Sequence, residues 1–134
     1  SWNIGIRHPR NDSVLASVEV KDNESVFTSG DYERFYYYQD KRYHHILDPN
    51  TGYPTADTQS ITVIHHDAGL ADAAATALFV AGSKRWKKIA KNMDLRYVML
   101  IDARGDIHMT PAMEKRIKFL NKLPTSHIIL SEEL

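Results

Sequence analysis

Hydrophobic and polar positions alternate with a period of two through most of the first half of the chain. The pattern predicts strands over 2–7, 14–20, 25–28, 33–38, 41–47 and 59–65, rich in Val, Ile, Tyr, Phe and Thr and mostly bounded by Gly, Pro, Asn or Asp. Turn residues gather in "HPRND", "KDNE", "SGD", "QDK" and "DPNTG", a spacing that suits antiparallel hairpins better than parallel crossovers. "YYYQDKRYHH" reads as one such hairpin, turning through Gln39, Asp40 and Lys41. In "WNIGIRHP" the apolar Trp2, Ile4 and Ile6 share a face with no turn or cap before them, which predicts a strand entered midway inside a larger domain.

The period changes at Asp67. "DAGLADAAATALFVAGSKRWKKIAKNMD" is rich in alanine, the best helix former, and predicts two consecutive helices. The first covers 69–80 and stops at Gly82 as its C′ residue; the second starts at Ser83 as N-cap and runs to Met93. "RYVMLIDARGDIHMT" predicts a strand, a turn over 103–106 and a short return strand. The tail holds a basic segment, a proline break and an apolar "HIIL" that reads as a late strand or a docked terminus. Strands gathered first and helices later indicate an α+β fold of antiparallel hairpins with two helices in the second half.

Composition narrows the class. At 134 residues the chain is the size of one domain, 1–134. Its 43% apolar and 25% charged content argues against wholesale disorder or a fibrous repeat. Seventeen basic residues balance seventeen acidic ones, which removes the electrostatic argument for a nucleic-acid or anionic-membrane partner. The absence of cysteine excludes disulfides, thiolate metal sites and cysteine nucleophiles while leaving the compartment open. No run approaches the roughly 20 apolar residues of a membrane-spanning helix, and the first residues lack the pattern of a signal peptide.

Three stretches carry candidate chemistry. "YHHILDPNTGYP" can be a strand followed by a turn, with Pro49 pre-setting one backbone angle and Gly52 supplying a positive φ. His44 and His45 point to opposite faces of a strand, so they cannot chelate one metal together, but a neutral imidazole there can hydrogen-bond to or stack on a planar ligand. In "LADAAAT", Asp72 and Thr76 stand four apart near a helix start and share a face. Their carboxylate and hydroxyl are hard ligands suited to Mg²⁺ or Ca²⁺, with small alanines around them leaving room for a phosphate ligand. The structural alternative is that Asp72 complements the helix dipole and Thr76 bonds back to a carbonyl. In "TSGDYERF", Ser29, Gly30 and Asp31 form either a backbone loop around an anion or, the favoured reading, a turn. The aromatics of "RFYYYQDKRY" suit a stacking surface or, more commonly, cross-strand packing.

Taken in order, "TSGDYERF", "YHHILDPNTGYP" and "SITVIHHDAGLADAAATALFVAG" resemble the C-terminal half of the FAD:protein FMN transferase (ApbE) family, formerly the thiamine-biosynthesis lipoproteins. His45, Asp48, Pro49, Thr51 and Gly52 meet the family's pattern of a histidine three residues before Asp-Pro-x-Thr-Gly. Ala71, Asp72, Ala73, Ala75 and Thr76 meet its Ala-Asp-Ala-x-Ala-Thr helix start. The resemblance covers 2–112 and implies an ApbE-like (T-fold-like) fold. It further implies an enzyme that splits FAD in a Mg²⁺-dependent reaction and links FMN by a phosphoester to a threonine of a target flavoprotein; some relatives hydrolyse FAD to FMN and AMP. By the same resemblance Asp72 and Thr76 are metal ligands, His45 and Ile46 lie along the flavin, and the turn with Asp48, Thr51 and Gly52 shapes that wall. The family also implies a parent that is an extracytoplasmic lipoprotein of the cell envelope.

Family members are expected to be about twice this length, with an N-terminal half that supplies most adenine and ribose contacts and a further metal ligand. The chain on its own is therefore expected to be weak or inactive as a catalyst and prone to self-association through faces left uncovered. Two rival readings stay open: a flavin-binding or scaffolding module without turnover, and an α+β domain in which these motifs are structural only.

Overall fold

The computed structural model describes residues 2–9, 13–30, 35–38, 41–44, 57–120 and 128–132. Its element order is β1 (Trp2–Arg7), β2 (Val14–Val20), β3 (Ser25–Gly30), β4 (Phe35–Tyr38), β5 (Lys41–His44), β6 (Thr58–His65), α1 (Ala68–Asn92), β7 (Tyr97–Asp102), β8 (Ile107–Met109), α2 (Pro111–Glu114), β9 (Ile117–Phe119) and β10 (Ile128–Leu130). The α+β class and, over the described residues, the alternation-based strands are as the sequence indicates; positions 33–34 and 45–47 of the expected strands lie outside those residues. β4 and β5 form the expected hairpin; Lys41, expected in its turn, is instead the first paired residue of β5, opposite Tyr38.

A five-stranded sheet in the order β10-β8-β7-β6-β3 forms the middle layer. Its ladders are antiparallel except that of β10 with β8, which is parallel. β6 lies inside this sheet and is buried from Thr58 to Ile64 because both its faces are covered. Successive side chains of a strand point to opposite faces, and the two cores divide accordingly. On one face Ile61 and Val63, with their cross-strand neighbours Leu100 and Val98, pack against Ala71, Ala74, Ala75, Leu78, Phe79, Trp86 and Ala90 of α1. On the other, Ile64, Met99, Ile101, Ile107 and Met109 meet Ile6, Ala16, Val18, Val20 and Ile117 of a second sheet, β1-β2-β9.

The face shared by Trp2, Ile4 and Ile6 is the one read from the sequence: they stand opposite Val20, Val18 and Ala16. Only Ile6 reaches the core, however. Trp2 is 68% exposed and Ile4 37% exposed, although their partners Val20 and Val18 in β2 are buried; β1 is an edge strand of its sheet.

α1 contains the break expected at Gly82, whose backbone (φ 76°, ψ −176°) is not helical. The first limb runs along β6 so that Thr58 Oγ1 donates to Phe79 O at 2.8 Å. The second limb returns, since Tyr97 begins β7 opposite Ile64. It ends at Met93, with Asp94 in the left-handed region (φ 57°) and the Leu95 N–H donating to Ala90 O.

Ser83 does not cap the second limb as expected. Asp57 does: its Oδ2 accepts the Ser83 N–H at 2.7 Å, and the Ser83 hydroxyl also turns to Asp57. A Cβ on residue 82 would fall on Asp57 Oδ2. Gly82 is thus required twice, by its φ and by the close approach of the carboxylate.

The tail contains two elements that the sequence pattern leaves unmarked. In α2 the Thr110 hydroxyl accepts the Met113 N–H at 3.2 Å, with Pro111 in the first turn. β9, from the basic segment, adds to β2. Arg116, just before β9, joins the sheets: its guanidinium donates to both Glu24 oxygens at 2.7 and 2.9 Å and to Glu19 O at 2.8 Å, and lies 4.4 Å from the Tyr97 ring centroid. The Arg116 hydrogen bonds hold the Glu24 carboxyl at about 2, down from 4.5, against the opposing effect of burial.

Two outcomes follow for stability. Gly82→Ala lowers stability by at least about 2 kcal/mol, measured by urea unfolding, because positive φ and steric overlap combine. Glu24 is ionised more readily folded than unfolded, so its contribution is fully present above pH 4.5 and is lost as pH falls towards 2. In a melting series Glu24→Gln has a lower Tm at neutral pH and a smaller loss across that acid window than the parent chain.

Candidate functional site

Asp72 and Thr76 lie on the first limb of α1. The limb starts at Asp67, whose Oδ1 accepts the Leu70 N–H at 3.1 Å and whose own N–H donates to His65 Nδ1 at 2.9 Å. Asp67 is the N-cap. Asp72 therefore stands in the second turn, beyond the first-turn positions where a carboxylate best complements the helix dipole.

The spacing of small and apolar residues orients the limb. Ala71, Ala74, Ala75, Leu78 and Phe79 form the buried stripe, while Gly69, Asp72, Ala73 and Thr76 are exposed. Most of the alanines flanking the pair are thus core residues that let the helix approach the sheet closely; Ala73 is the one that lies fully at the surface beside it. The Asp72 side chain has no hydrogen bond or ion pair among the described residues. The Thr76 hydroxyl lies 3.5 Å from Asp72 O, at the outer limit of a back-bond. The Thr76 half of the structural alternative is therefore present in a weak form, and the Asp72 half is taken over by Asp67.

As a donor set the pair supplies two hard oxygens one helical turn apart. These fit Mg²⁺, which takes one or two protein oxygens and fills its octahedron with water and phosphate. Among the described residues no three His, Asp or Glu side chains converge on one point.

His45, Ile46, Asp48, Thr51 and Gly52 lie outside the described residues, as does Asp31. Ser29 and Gly30 are neither a loop nor a turn: they close β3, paired with Ile61 and Ser60. That part of the "TSGDYERF" reading is corrected, because the ladder with β6 continues through Gly30.

Sequence reasoning missed two polar centres. Asp57 is one; its only signal is an aspartate immediately before a strand. The other is Asp102, whose Oδ1 accepts the Arg104 and Asp106 N–H groups and whose Oδ2 lies 2.8 Å from His108 Nε2. Burial alone would raise the Asp102 pKa, but the His108 and backbone hydrogen bonds outweigh it and lower it. The pair holds the β7–β8 turn, where Gly105 takes a φ of 88°.

The model of the ApbE family matches residues 1–100. The chain belongs to the ApbE family. A FAD:protein FMN transferase of Rhodobacter capsulatus is 39% identical over 117 residues, 87% of this chain and 22% of its own length. One of Treponema pallidum is 43% identical over 86 residues, 63% of this chain and 24% of its own. The crystal structure of the ApbE protein from Thermotoga maritima superposes with a TM-score of 0.76 at 39% identity, covering 90% of this chain and 38% of the other. The apo flavinyl transferase ApbE of Pseudomonas stutzeri gives 0.66 at 29%, with 91% and 38% covered. The ApbE fold is therefore shared, and the chain spans less than two-fifths of these relatives, which are longer than the expected doubling.

If Asp72 has no part in the fold, its removal leaves stability almost unchanged. Asp72→Ala shifts unfolding by less than about 0.5 kcal/mol, whereas Asp67→Ala loses about 1 kcal/mol with the cap; chemical denaturation of both variants checks the contrast.

Proposed function

We propose that this chain is the C-terminal portion of a FAD:protein FMN transferase, one domain over 1–134, that contributes metal ligands and a flavin wall to a Mg²⁺-dependent transfer of FMN from FAD to a threonine of a target flavoprotein. One observation carries the reading: Asp72 and Thr76 are presented side by side on an exposed helix face, unused by the cap, in a chain similar to proteins named for that activity.

Asp72 Oδ and Thr76 Oγ1 would hold the Mg²⁺. When bound, the ion neutralises charge on pyrophosphate oxygens during phosphoryl transfer. The chain's own work is to fix those two oxygens on a rigid helix anchored by the apolar stripe below them. His45 and Ile46 lie along the flavin in this reading, and Asp48, Thr51 and Gly52 set the turn that shapes the wall.

The parent is proposed to be a lipoprotein of the cell envelope, as the family resemblance implies. Trp2 and Ile4, exposed on the core-facing side of β1, support self-association of the chain on its own. A second reading, a flavin-binding module without turnover, draws support from the short span relative to the relatives.

Calorimetric titration with FAD, with and without Mg²⁺, tests the proposal. The expected result is FAD binding that Mg²⁺ strengthens at least tenfold, with the enhancement lost in Asp72→Ala. Retention of the full enhancement in that variant overturns the ligand assignment. Chromatography of the same mixtures for AMP separates turnover from binding alone.

A further inference from the structure

Two adjoining clefts open where the β1-β2-β9 sheet meets the start of β7. One, of about 580 Å³, lies between Arg96, Tyr97 and Lys115; the other, of about 660 Å³, lies between Trp2, Lys21 and Lys118, and both include Lys115 and Arg116. In the sheet Asn3 stands opposite Glu19 and Ser17 opposite Lys118, on the face turned away from Ile4, Val18 and Ile117. The second cleft therefore lies on the outer face of that sheet, with the 68% exposed indole of Trp2 in its wall.

The whole chain is electrically neutral, with seventeen residues of each sign, but the clefts are not. Five cations line them, Lys21, Arg96, Lys115, Arg116 and Lys118, against the two carboxylates of Glu19 and Asp94. Arg116 is neutralised by Glu24 at 2.7 Å. The other four are exposed and make no ion pair among the described residues; Arg96 lies only over the Tyr97 ring, 5.6 Å from its centroid. Trp, Tyr and Arg are the residue types that most often anchor protein interfaces, and here Trp2, Tyr97 and Arg96 stand among unpaired lysines.

We infer that the joined clefts dock an acidic segment of a protein partner, with its carboxylates beside Arg96, Lys115 and Lys118 and an apolar side chain against Trp2. Charge complementarity selects the sign of the partner, and shape selects its class. Cations that line a cleft are poorly placed for a flat anionic bilayer, and a chain of zero net charge offers a nucleic acid no long-range attraction. A peptide segment can enter, and its carboxylates then lie within the roughly 8 Å over which the cations act at physiological salt. None of these residues belongs to the Asp72–Thr76 pair, so docking does not depend on the metal reading.

Fluorescence anisotropy tests the docking with three short labelled peptides: glutamates around a central phenylalanine, the same with alanine at the centre, and lysines around phenylalanine. The full chain is expected to bind the first in low salt, the second more weakly and the third not at all. Lys115→Glu with Lys118→Glu weakens binding of the first peptide at least about tenfold without lowering the melting temperature, because both side chains are exposed and unpaired. Trp2→Ala removes the preference for phenylalanine over alanine. Lys84→Glu with Lys87→Glu, the same charge change on α1 away from the clefts, leaves binding within about twofold. Loss of binding in that control to the same degree shows a general charge effect and overturns the inference. So does failure of the full chain to bind the acidic peptide, or tighter binding to vesicles one-third phosphatidylserine that the Lys115 and Lys118 changes abolish.

Discussion

The structure depends on β6 being covered on both faces. A strand buried from Thr58 to Ile64 satisfies its backbone through β3 on one side and β7 on the other, and its side chains need two separate apolar partners. The β1-β2-β9 sheet supplies one and α1 the other. The helix partner has to be thin where it crosses β6 and β3, and the run of small residues at 71, 74 and 75 meets that need. What looked like space for a ligand in the sequence is mostly the requirement of close helix–sheet packing.

That packing sets the exposed face. With Ala71, Ala74, Ala75, Leu78 and Phe79 fixed inward, Asp72 and Thr76 have no choice but to face outward on the same side, because positions four apart in a helix are neighbours. The core and the candidate metal pair are consequences of one register. A change that rotates the limb to relieve the core also turns the pair away. Gly82 and Asp57 guard against this at the far end of the limb, and Asp67 at the near end.

The legible parts of the sequence were those governed by local periodicity and backbone chemistry. Strands β1, β2, β3 and β6 show a period of two with turn residues around them. The helix break shows as a glycine between two helical patterns. What was illegible depends on contacts distant in sequence. The cap on the second limb comes from Asp57, twenty-six positions before Ser83, so no nearby pattern announces it. β9 is three residues in a basic segment and exists because β2 has an open side for it. α2 is a four-residue helix, too short for an apolar stripe to declare itself. Trp2 and Ile4 have the right face but belong to an edge strand and stay exposed, which alternation alone does not measure. Of the candidate site, the helix half was readable down to the exposed pair, whereas the "DPNTG" half lies outside the described residues.

Comparison of the aspartates gives the sharpest separation between fold and function. Asp57, Asp67 and Asp102 each sit at an element boundary, and each accepts backbone N–H groups that would otherwise be orphaned. Their presence is explained by what they hold together. Asp72 sits in the interior of a helix, where aspartate is a poorer residue than the alanines around it, and its carboxylate engages no described group. Among the described residues the Asp72 carboxylate has no partner, and it stands one turn from a weakly held hydroxyl on a helix whose other face is committed to the core. The physical case for proposing a site there comes from the contrast with the three aspartates that the fold already uses, and the ApbE resemblance points the same way.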